Sequence, residues 1–143
     1  MINSFIKRIA SILRIEYPNI HYVSKLATDT QLASADYHTM TITIKSSASG
    51  YDLLFSIAHE MRHLWQMRYR SDMFLDYSGA NTKLSSDKYN QQEAEIDAHA
   101  FAAAIMRTGF GVTPLFNNMN EDTKKEIYRR ADQIIENFHL GDM

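Results

Sequence analysis

The most restrictive feature of the sequence is an apolar segment, residues 51–66, that carries His59, Glu60 and His63 near its centre. The segment contains no Pro and no Gly, so it is predicted to form a buried α-helix. Because residues four apart lie on one face of a helix, the imidazoles of His59 and His63 point in the same direction. Burying two imidazoles and a carboxylate without partners is costly, and a bound metal ion removes that cost. The segment therefore predicts a metal site on a core helix.

The order of the residues from His59 to His63 indicates which metal and which chemistry. Two neutral imidazoles one turn apart can hold one Zn²⁺ at ~2.0–2.1 Å each. Glu60 lies about 100° around the helix from His59, so its carboxylate stands beside the ion and can take a proton from an attacking water. This H-E-x-x-H pattern is typical of zinc metallopeptidases, although paired histidines on a helix are often only solvated or packed residues. Trp65 and Gln66, farther along, are expected to pack or bridge beneath the site.

Length and composition predict a single domain, residues 1–143, with one hydrophobic core. Hydrophobic residues make up 45% and charged residues 22%, a balance typical of globular proteins. The formal net charge of −2 gives no reason to expect a nucleic-acid partner. The chain has no cysteine, which excludes Cys-ligated zinc and a Cys nucleophile and favours a reducing compartment.

The N-terminal segment, residues 1–16, is predicted to be a helix of the folded protein and not a signal peptide. Its apolar residues recur at helical spacing, and Lys7, Arg8 and Arg14 interrupt every apolar run. No stretch approaches the ~18 apolar residues of a membrane span. We therefore predict a cytoplasmic protein with no membrane partner.

The remaining sequence predicts an α+β fold with a small antiparallel sheet of two or three strands. Residues 39–44 alternate strictly and are rich in β-branched side chains, the clearest strand signal in the chain. A tight turn at Asp36-Tyr37-His38 would precede this strand, with His38 a solvated loop residue. The predicted elements are a helix at 2–16, strands at 20–23, 31–37 and 39–44, a helix from 51 to about 70, a long loop at 71–88 with at most a short helical turn, a helix at 89–107, and a C-terminal helix at 120–138 followed by a frayed end.

A catalytic zinc ion needs a third protein ligand, and without Cys this must be His, Asp or Glu. The richest source is residues 91–102, an alanine-rich helical segment that can approach another helix closely. Glu93 has Asp97 four residues on, and this aspartate could orient a zinc-binding imidazole. Glu95 has His99 four residues on. Helix phasing does not choose between Glu93 and Glu95, and a solvated acidic first turn is the alternative to both.

The two motifs together resemble the ImmA/IrrE-type metallopeptidases, small relatives of the gluzincins found in bacteria, phages and mobile elements. In this family H-E-x-x-H is followed by E-x-x-A-x-x-F-A, and the segment Glu95–Ala102 matches the second motif. The resemblance implies a minimal gluzincin-like core in which the two histidines of the first motif and Glu95 hold the zinc ion, with the glutamate of the first motif as general base. The wider gluzincin pattern E-x-x-x-D would instead select Glu93 with Asp97.

The resemblance covers residues 51–107 and has two departures. His99 stands where the family usually has Asn, and Ala104-Ile-Met-Arg107 replaces a Leu-Leu-Met-Pro-like ending. The resemblance further implies a phage- or mobile-element-type domain of narrow specificity, whose partner is a protein substrate such as a repressor or an antitoxin.

Two functions from different classes remain open at this point. The first is zinc-dependent hydrolysis of peptide bonds with Glu60 as general base, in which residues 39–44 could pair with an extended substrate if they form a sheet edge. The oxyanion donor for this reaction would be Tyr77, Tyr89 or His99. The second is a catalytically silent zinc-containing module that binds a peptide. An intact Glu60 argues against the second function, because a structural zinc site has no use for a base there.

Overall fold

A computed structural model of the protein describes residues 1–79 and 84–138, in two compact units, Met1–Arg70 and Ser71–Met143. Residues 80–83 of the predicted loop lie outside the described residues, as does the predicted frayed end. Within the described ranges, no helix is both long enough and apolar enough to cross a bilayer.

The first unit begins with helix α1, Ile2–Leu13, whose buried residues form the apolar stripe that the sequence predicts. Arg14 ends the helix in the left-handed conformation, with φ 56°. The backbone N–H of Ile15 then donates to the carbonyl of Ala10 at 3.1 Å, which satisfies an otherwise unpaired carbonyl of the last turn. The helix was predicted to extend to residue 16, so its predicted length was too great.

The strands β1 (Asn19–Val23), β2 (Ala33–Asp36) and β3 (Thr41–Lys45) form one sheet in the order β1-β3-β2. β2 pairs with β3 antiparallel, as predicted, but β1 pairs with β3 parallel, so the sheet is mixed. The alternation of apolar residues reports which face of a strand is buried and says nothing about the direction of its neighbour. β3 is paired on both sides, so residues 39–44 do not meet the condition under which they could pair with a substrate. Among the described residues the sheet edges are β1 and β2.

The turn between β2 and β3 lies where the sequence predicts it. The Oδ1 atom of Asp36 accepts hydrogen bonds from the backbone N–H groups of His38 at 2.9 Å and Thr39 at 3.3 Å. This Asx-type turn is followed by Met40 in the left-handed conformation, with φ 51°. His38 is exposed, which confirms its assignment as a solvated loop residue.

Helix α2, Gly50–Tyr69, is the predicted motif helix and packs against α1 and the sheet. The hydroxyl of Tyr69 donates to the backbone carbonyl of Arg14 at 2.8 Å, which ties the end of α2 to the end of α1. The middle of α2 therefore packs in the hydrophobic core, and this packing fixes the positions of the side chains on the helix. The largest fully buried side chains of this unit are Ile6, Ile9, Leu13, Ile42, Ile44, Leu53, Ile57, Met61 and Leu64.

The second unit contains a 3₁₀ turn at Ser71–Phe74 and helices α3 (Ser86–Gln91), α4 (Glu93–Phe110) and α5 (Glu121–Phe138). The single helix predicted over residues 89–107 is instead broken at Gln92, whose backbone is extended (φ −62°, ψ 140°). The side-chain amide of Gln92 accepts a hydrogen bond from the backbone N–H of Ser78 at 2.7 Å and donates to the Ser78 carbonyl at 3.0 Å. A contact with a distant loop residue of this kind leaves no trace in the helical periodicity.

The C-terminal end of helix α4 and the start of helix α5 are well defined. Helix α4 passes through Gly109 and ends before Gly111, which takes the left-handed conformation with φ 66°. The predicted end at Gly109 was thus slightly early. Helix α5 begins after Asn120, whose Oδ1 atom accepts from the backbone N–H groups of Asp122 at 2.8 Å and Thr123 at 3.3 Å, a normal N-terminal cap.

Candidate metal centre

The two histidines of α2 and the glutamate beside them form one cluster. The rings of His59 and His63 meet edge to face with their centroids 4.8 Å apart. The Nε2 atom of His59 lies 3.7 Å from Oε2 of Glu60, and Nε2 of His63 lies 3.9 Å from the same oxygen. The potential ligand atoms of the three residues all lie within 4.8 Å of one another. The prediction that both imidazoles share one face of the helix is confirmed.

The side chains of His59, Glu60 and His63 differ in their exposure to solvent. The side chain of His63 is only 4% exposed and that of His59 is 12% exposed, so both imidazoles are largely removed from water. The side chain of Glu60 is 16% exposed, the largest fraction of the three. A small opening of this kind is what a proton-transfer group needs, because water must reach it while the surroundings stay of low polarity.

The tautomer of His63 is set by Gln66, one turn farther along α2. The Nδ1 atom of His63 lies 2.8 Å from Oε1 of Gln66, and both side chains are buried. An amide oxygen can only accept a hydrogen bond, so Nδ1 of His63 carries the proton. In the neutral ring the lone pair then resides on Nε2, the atom that faces Glu60. This tautomer leaves the lone pair on Nε2 of His63 available to a metal ion.

Replacing Gln66 by Met is expected to weaken zinc binding by about 10–100-fold, the usual effect of losing an outer hydrogen-bond partner of a ligating histidine. Met fills a similar volume but offers no oxygen to Nδ1 of His63. The Gln66→Glu variant keeps an acceptor at this position and is expected to bind zinc more tightly than Gln66→Met. The measurement is a zinc titration against a competing chelator, and equal affinities for Gln66→Met and the unaltered protein would refute the assigned role.

Arg62 and Trp65 pack together beside the histidines. The guanidinium carbon of Arg62 lies 3.7 Å from the centroid of the Trp65 ring, the geometry of a cation–π contact. Arg62 is 3% exposed, so its charge is buried. Trp65 therefore packs next to the site, as the sequence predicts, and Arg62 contributes to the structure around it.

The acidic residues considered as a third ligand lie on α4 of the second unit and have different environments. Glu95 is 1% exposed and Asp97 is 4% exposed, whereas Glu93 is exposed at the first position of the helix. A buried carboxylate must be compensated by hydrogen bonds, an ion pair or a metal ion, and an exposed one needs none of these. The burial pattern thus singles out Glu95 as the glutamate that demands a partner.

Glu95 is hydrogen-bonded to Tyr77, which in turn is hydrogen-bonded to Tyr89, and both tyrosines lie outside α4. The hydroxyl of Tyr77 donates to Oε2 of Glu95 at 2.6 Å, and the hydroxyl oxygens of Tyr77 and Tyr89 lie 3.1 Å apart. Burial raises the pKa of the Tyr77 phenol, and the nearby negative charge of Glu95 raises it further. Tyr77 therefore stays protonated at neutral pH and acts as a hydrogen-bond donor to the carboxylate.

His99 lies one turn after Glu95 on α4. Its Nδ1 atom is 2.7 Å from the backbone carbonyl oxygen of Glu95, so Nδ1 donates and the lone pair of the neutral ring is on Nε2. The ring also contacts Phe116 edge to face, with the centroids 5.5 Å apart. These two contacts fix the orientation of the imidazole, which remains partly exposed.

The residues of α2 fit a metal ion by their chemistry. The Nε2 atoms of His59 and His63 both lie near one carboxylate oxygen of Glu60. In His63 the contact of Nδ1 with Gln66 places the lone pair on Nε2. Imidazole nitrogen suits Zn²⁺, and a carboxylate adjacent to the ion suits proton transfer. An α+β fold with a buried helix of this type defines the chain as a metallopeptidase-like protein.

The sequence matches the family Peptidase_M78, described as the IrrE N-terminal-like domain, over residues 16–137. The chain belongs to this family, which confirms the resemblance to ImmA/IrrE-type metallopeptidases. The matched region includes residues of both compact units, so both are parts of the family's domain. Comparison with curated proteins and with solved structures found no match.

Sequence reasoning located the histidines and the glutamates but missed how their neighbours hold them. The contact of His63 with Gln66 could have been found, because residues three apart on a helix are neighbours. The contact of Tyr77 with Glu95 spans a loop and has no periodic signal. Tyr77 and Tyr89 were therefore assigned only as possible oxyanion donors. The bond of Tyr77 to the carboxylate of Glu95 and the bond between the two hydroxyls are new information from the structure.

Proposed function

We propose that the protein is a zinc-dependent metallopeptidase that hydrolyses peptide bonds of a protein substrate, with Glu60 as general base. The observation that carries the proposal is the approach of Nε2 of both His59 and His63 to one oxygen of Glu60, at 3.7 and 3.9 Å. Membership of a metallopeptidase family supports it. A zinc site with a purely structural role has no need of a carboxylate at this position.

The chemistry assigned to the chain's own residues is proton transfer. Zn²⁺ bound by the two histidines would polarise the scissile carbonyl and lower the pKa of a water molecule to about 7. Glu60 is placed beside the imidazole nitrogens, so it can accept the proton of that water and later deliver it to the leaving amine. Gln66 holds the ring of His63 in one tautomer and one orientation, because its oxygen accepts a hydrogen bond from the Nδ1–H group.

We further propose that Glu95 supplies the third zinc ligand. Three observations support this assignment over Glu93: Glu95 is buried whereas Glu93 is exposed, Glu95 receives a hydrogen bond from the partly buried Tyr77, and Glu95 begins the segment that resembles the second motif of the family. A carboxylate has about four acceptor positions, so a hydrogen bond on one oxygen is compatible with binding a metal ion.

The assignment predicts opposite results for two neighbouring alanine variants. Glu95→Ala is expected to weaken zinc binding by more than the ~10–100-fold loss typical of an outer partner, because it removes a ligand. Glu93→Ala is the matched control and is expected to bind zinc like the unaltered protein. Zinc content after dialysis against a chelator, measured by mass spectrometry of the metal, distinguishes them. Stoichiometric zinc in Glu95→Ala together with its loss in Glu93→Ala would transfer the ligand role to Glu93.

The substrate is proposed to be one particular protein, such as a repressor or an antitoxin, in the cytoplasm of a cell that carries a phage or mobile element. The resemblance to ImmA/IrrE-type peptidases supports this narrow specificity. Incubation of the protein with the proteins encoded next to it, followed by mass spectrometry, is the direct test. Cleavage at many unrelated sites in a general substrate such as casein would argue for a broad peptidase.

A further inference from the structure

The second unit contains a chain of hydrogen bonds that ends on the carboxylate of Glu95. The hydroxyl of Tyr77 lies 2.6 Å from Oε2 of Glu95, and the hydroxyl of Tyr89 lies 3.1 Å from that of Tyr77. An ionised carboxylate only accepts, so Tyr77 must donate its single proton to Glu95. Tyr89 must then donate to the oxygen of Tyr77. The direction of both bonds is therefore fixed, from Tyr89 through Tyr77 to Glu95.

The segment that carries Tyr77 is itself held against the start of α4. The side-chain amide of Gln92 makes two hydrogen bonds with the backbone of Ser78, the residue next to Tyr77, at 2.7 and 3.0 Å. The ring of Phe74 contacts the ring of Tyr77 edge to face, with centroids 5.0 Å apart. A tyrosine fixed by its neighbour's backbone, by an aromatic ring and by its hydroxyl has very little freedom to turn away from Glu95.

We propose that Tyr77 is a positioning residue that orients the carboxylate of Glu95 for metal binding, and that Tyr89 supports Tyr77 in this role. The inference rests on the proposed function, in which Glu95 is a zinc ligand. It also changes the role predicted for Tyr77, because a hydroxyl whose only proton is given to Glu95 is not a donor to an oxyanion. The loop after α2 is then part of the metal site's support and not only a connection.

The test uses Tyr→Phe variants, each of which removes one hydroxyl group. Tyr77→Phe is expected to weaken zinc binding by about 10–100-fold, as is usual for an outer partner of a ligand. The same variant loaded with Co²⁺ is expected to show a changed visible absorption spectrum, since the geometry of the carboxylate ligand is altered. Tyr89→Phe is expected to show a smaller weakening, because Tyr77 remains. Tyr128→Phe is the matched control: its hydroxyl donates to the carbonyl of Pro114, which is outside this chain of bonds.

Each result has a definite meaning. Unaltered zinc affinity and cobalt spectrum in Tyr77→Phe, with lowered peptide cleavage, would overturn the positioning role and restore Tyr77 as an oxyanion donor. If Tyr77→Phe does not fold, zinc binding by Tyr89→Phe decides the matter, and an affinity equal to that of Tyr128→Phe overturns the proposal. The variant Glu95→Ala is measured in parallel. If Glu95→Ala keeps zinc, the ligand assignment itself fails; if it loses zinc while Tyr77→Phe keeps it, only the positioning role fails.

Discussion

Replacing Glu60 by Gln is expected to reduce peptide cleavage by about 10²–10⁴-fold, the usual contribution of a general base, while zinc binding stays unchanged. Gln has the same shape as Glu but does not take a proton at neutral pH. The Nε2 atoms of His59 and His63 are expected to keep their positions, because buried residues of α2 other than Glu60 hold the helix in the hydrophobic core. Loss of cleavage with unchanged zinc binding distinguishes a peptidase from a catalytically silent zinc module.

The experiment uses a mixture of degenerate peptides, with cleavage read by mass spectrometry, and a zinc titration on the same preparations. Glu93→Gln is the matched control, since it makes the same chemical change at an exposed position. It is expected to leave both readouts unaltered. Cleavage by Glu60→Gln at the rate of the unaltered protein would remove Glu60 from its assigned role, and loss of zinc would show that its carboxylate is itself a ligand.

Replacing His63 by Ala is expected to abolish stoichiometric zinc binding and, with it, all cleavage. The effect should exceed the ~10–100-fold loss expected at Gln66, because a ligand and not its supporting partner is removed. His63 is 3% exposed, and alanine also removes the hydrogen bond between its ring and the buried oxygen of Gln66. Losing a hydrogen bond of this kind costs about 0.5–1.5 kcal/mol, so a lower stability is expected in addition.

His38→Ala is the control for the His63 experiment. His38 is exposed in the turn between β2 and β3, and the hydrogen bond that the turn needs comes from its backbone. Zinc content and thermal unfolding of the two variants are compared with those of the unaltered protein. A His63→Ala protein that retained one zinc ion per chain with normal affinity would show that the ion is held elsewhere.

The part of the candidate site that lies on one helix could be predicted from the sequence. The positions of His59, Glu60 and His63 follow from helix geometry alone, because spacing along an α-helix fixes direction around it. The burial of Glu95 and the exposure of Glu93 could not be predicted, since both lie in the first turn of α4 and acidic residues there are equally common in solvent. Only the burial of each side chain in the folded protein distinguishes them.

Secondary-structure elements with a clear hydrophobic periodicity could be predicted from the sequence. Features that depend on contacts between distant residues could not. The strands and α1 were found by their patterns, but the parallel pairing of β1 with β3 depends on which edge of β3 is left after the β2–β3 turn has formed. The break between α3 and α4 depends on the bonds of Gln92 to Ser78. Neither contact is encoded in the local sequence on which a periodicity argument relies.

The most direct measurement of the central claim is an anomalous-difference electron-density map of crystals grown with zinc, recorded at the zinc absorption edge. The account predicts a single strong peak at ~2.0–2.1 Å from Nε2 of His59 and of His63, and at ~2.0–2.2 Å from a carboxylate oxygen of Glu95. Glu60 would lie beside the peak without coordinating it. A peak bound to other residues, or no peak near the two histidines, would contradict the account.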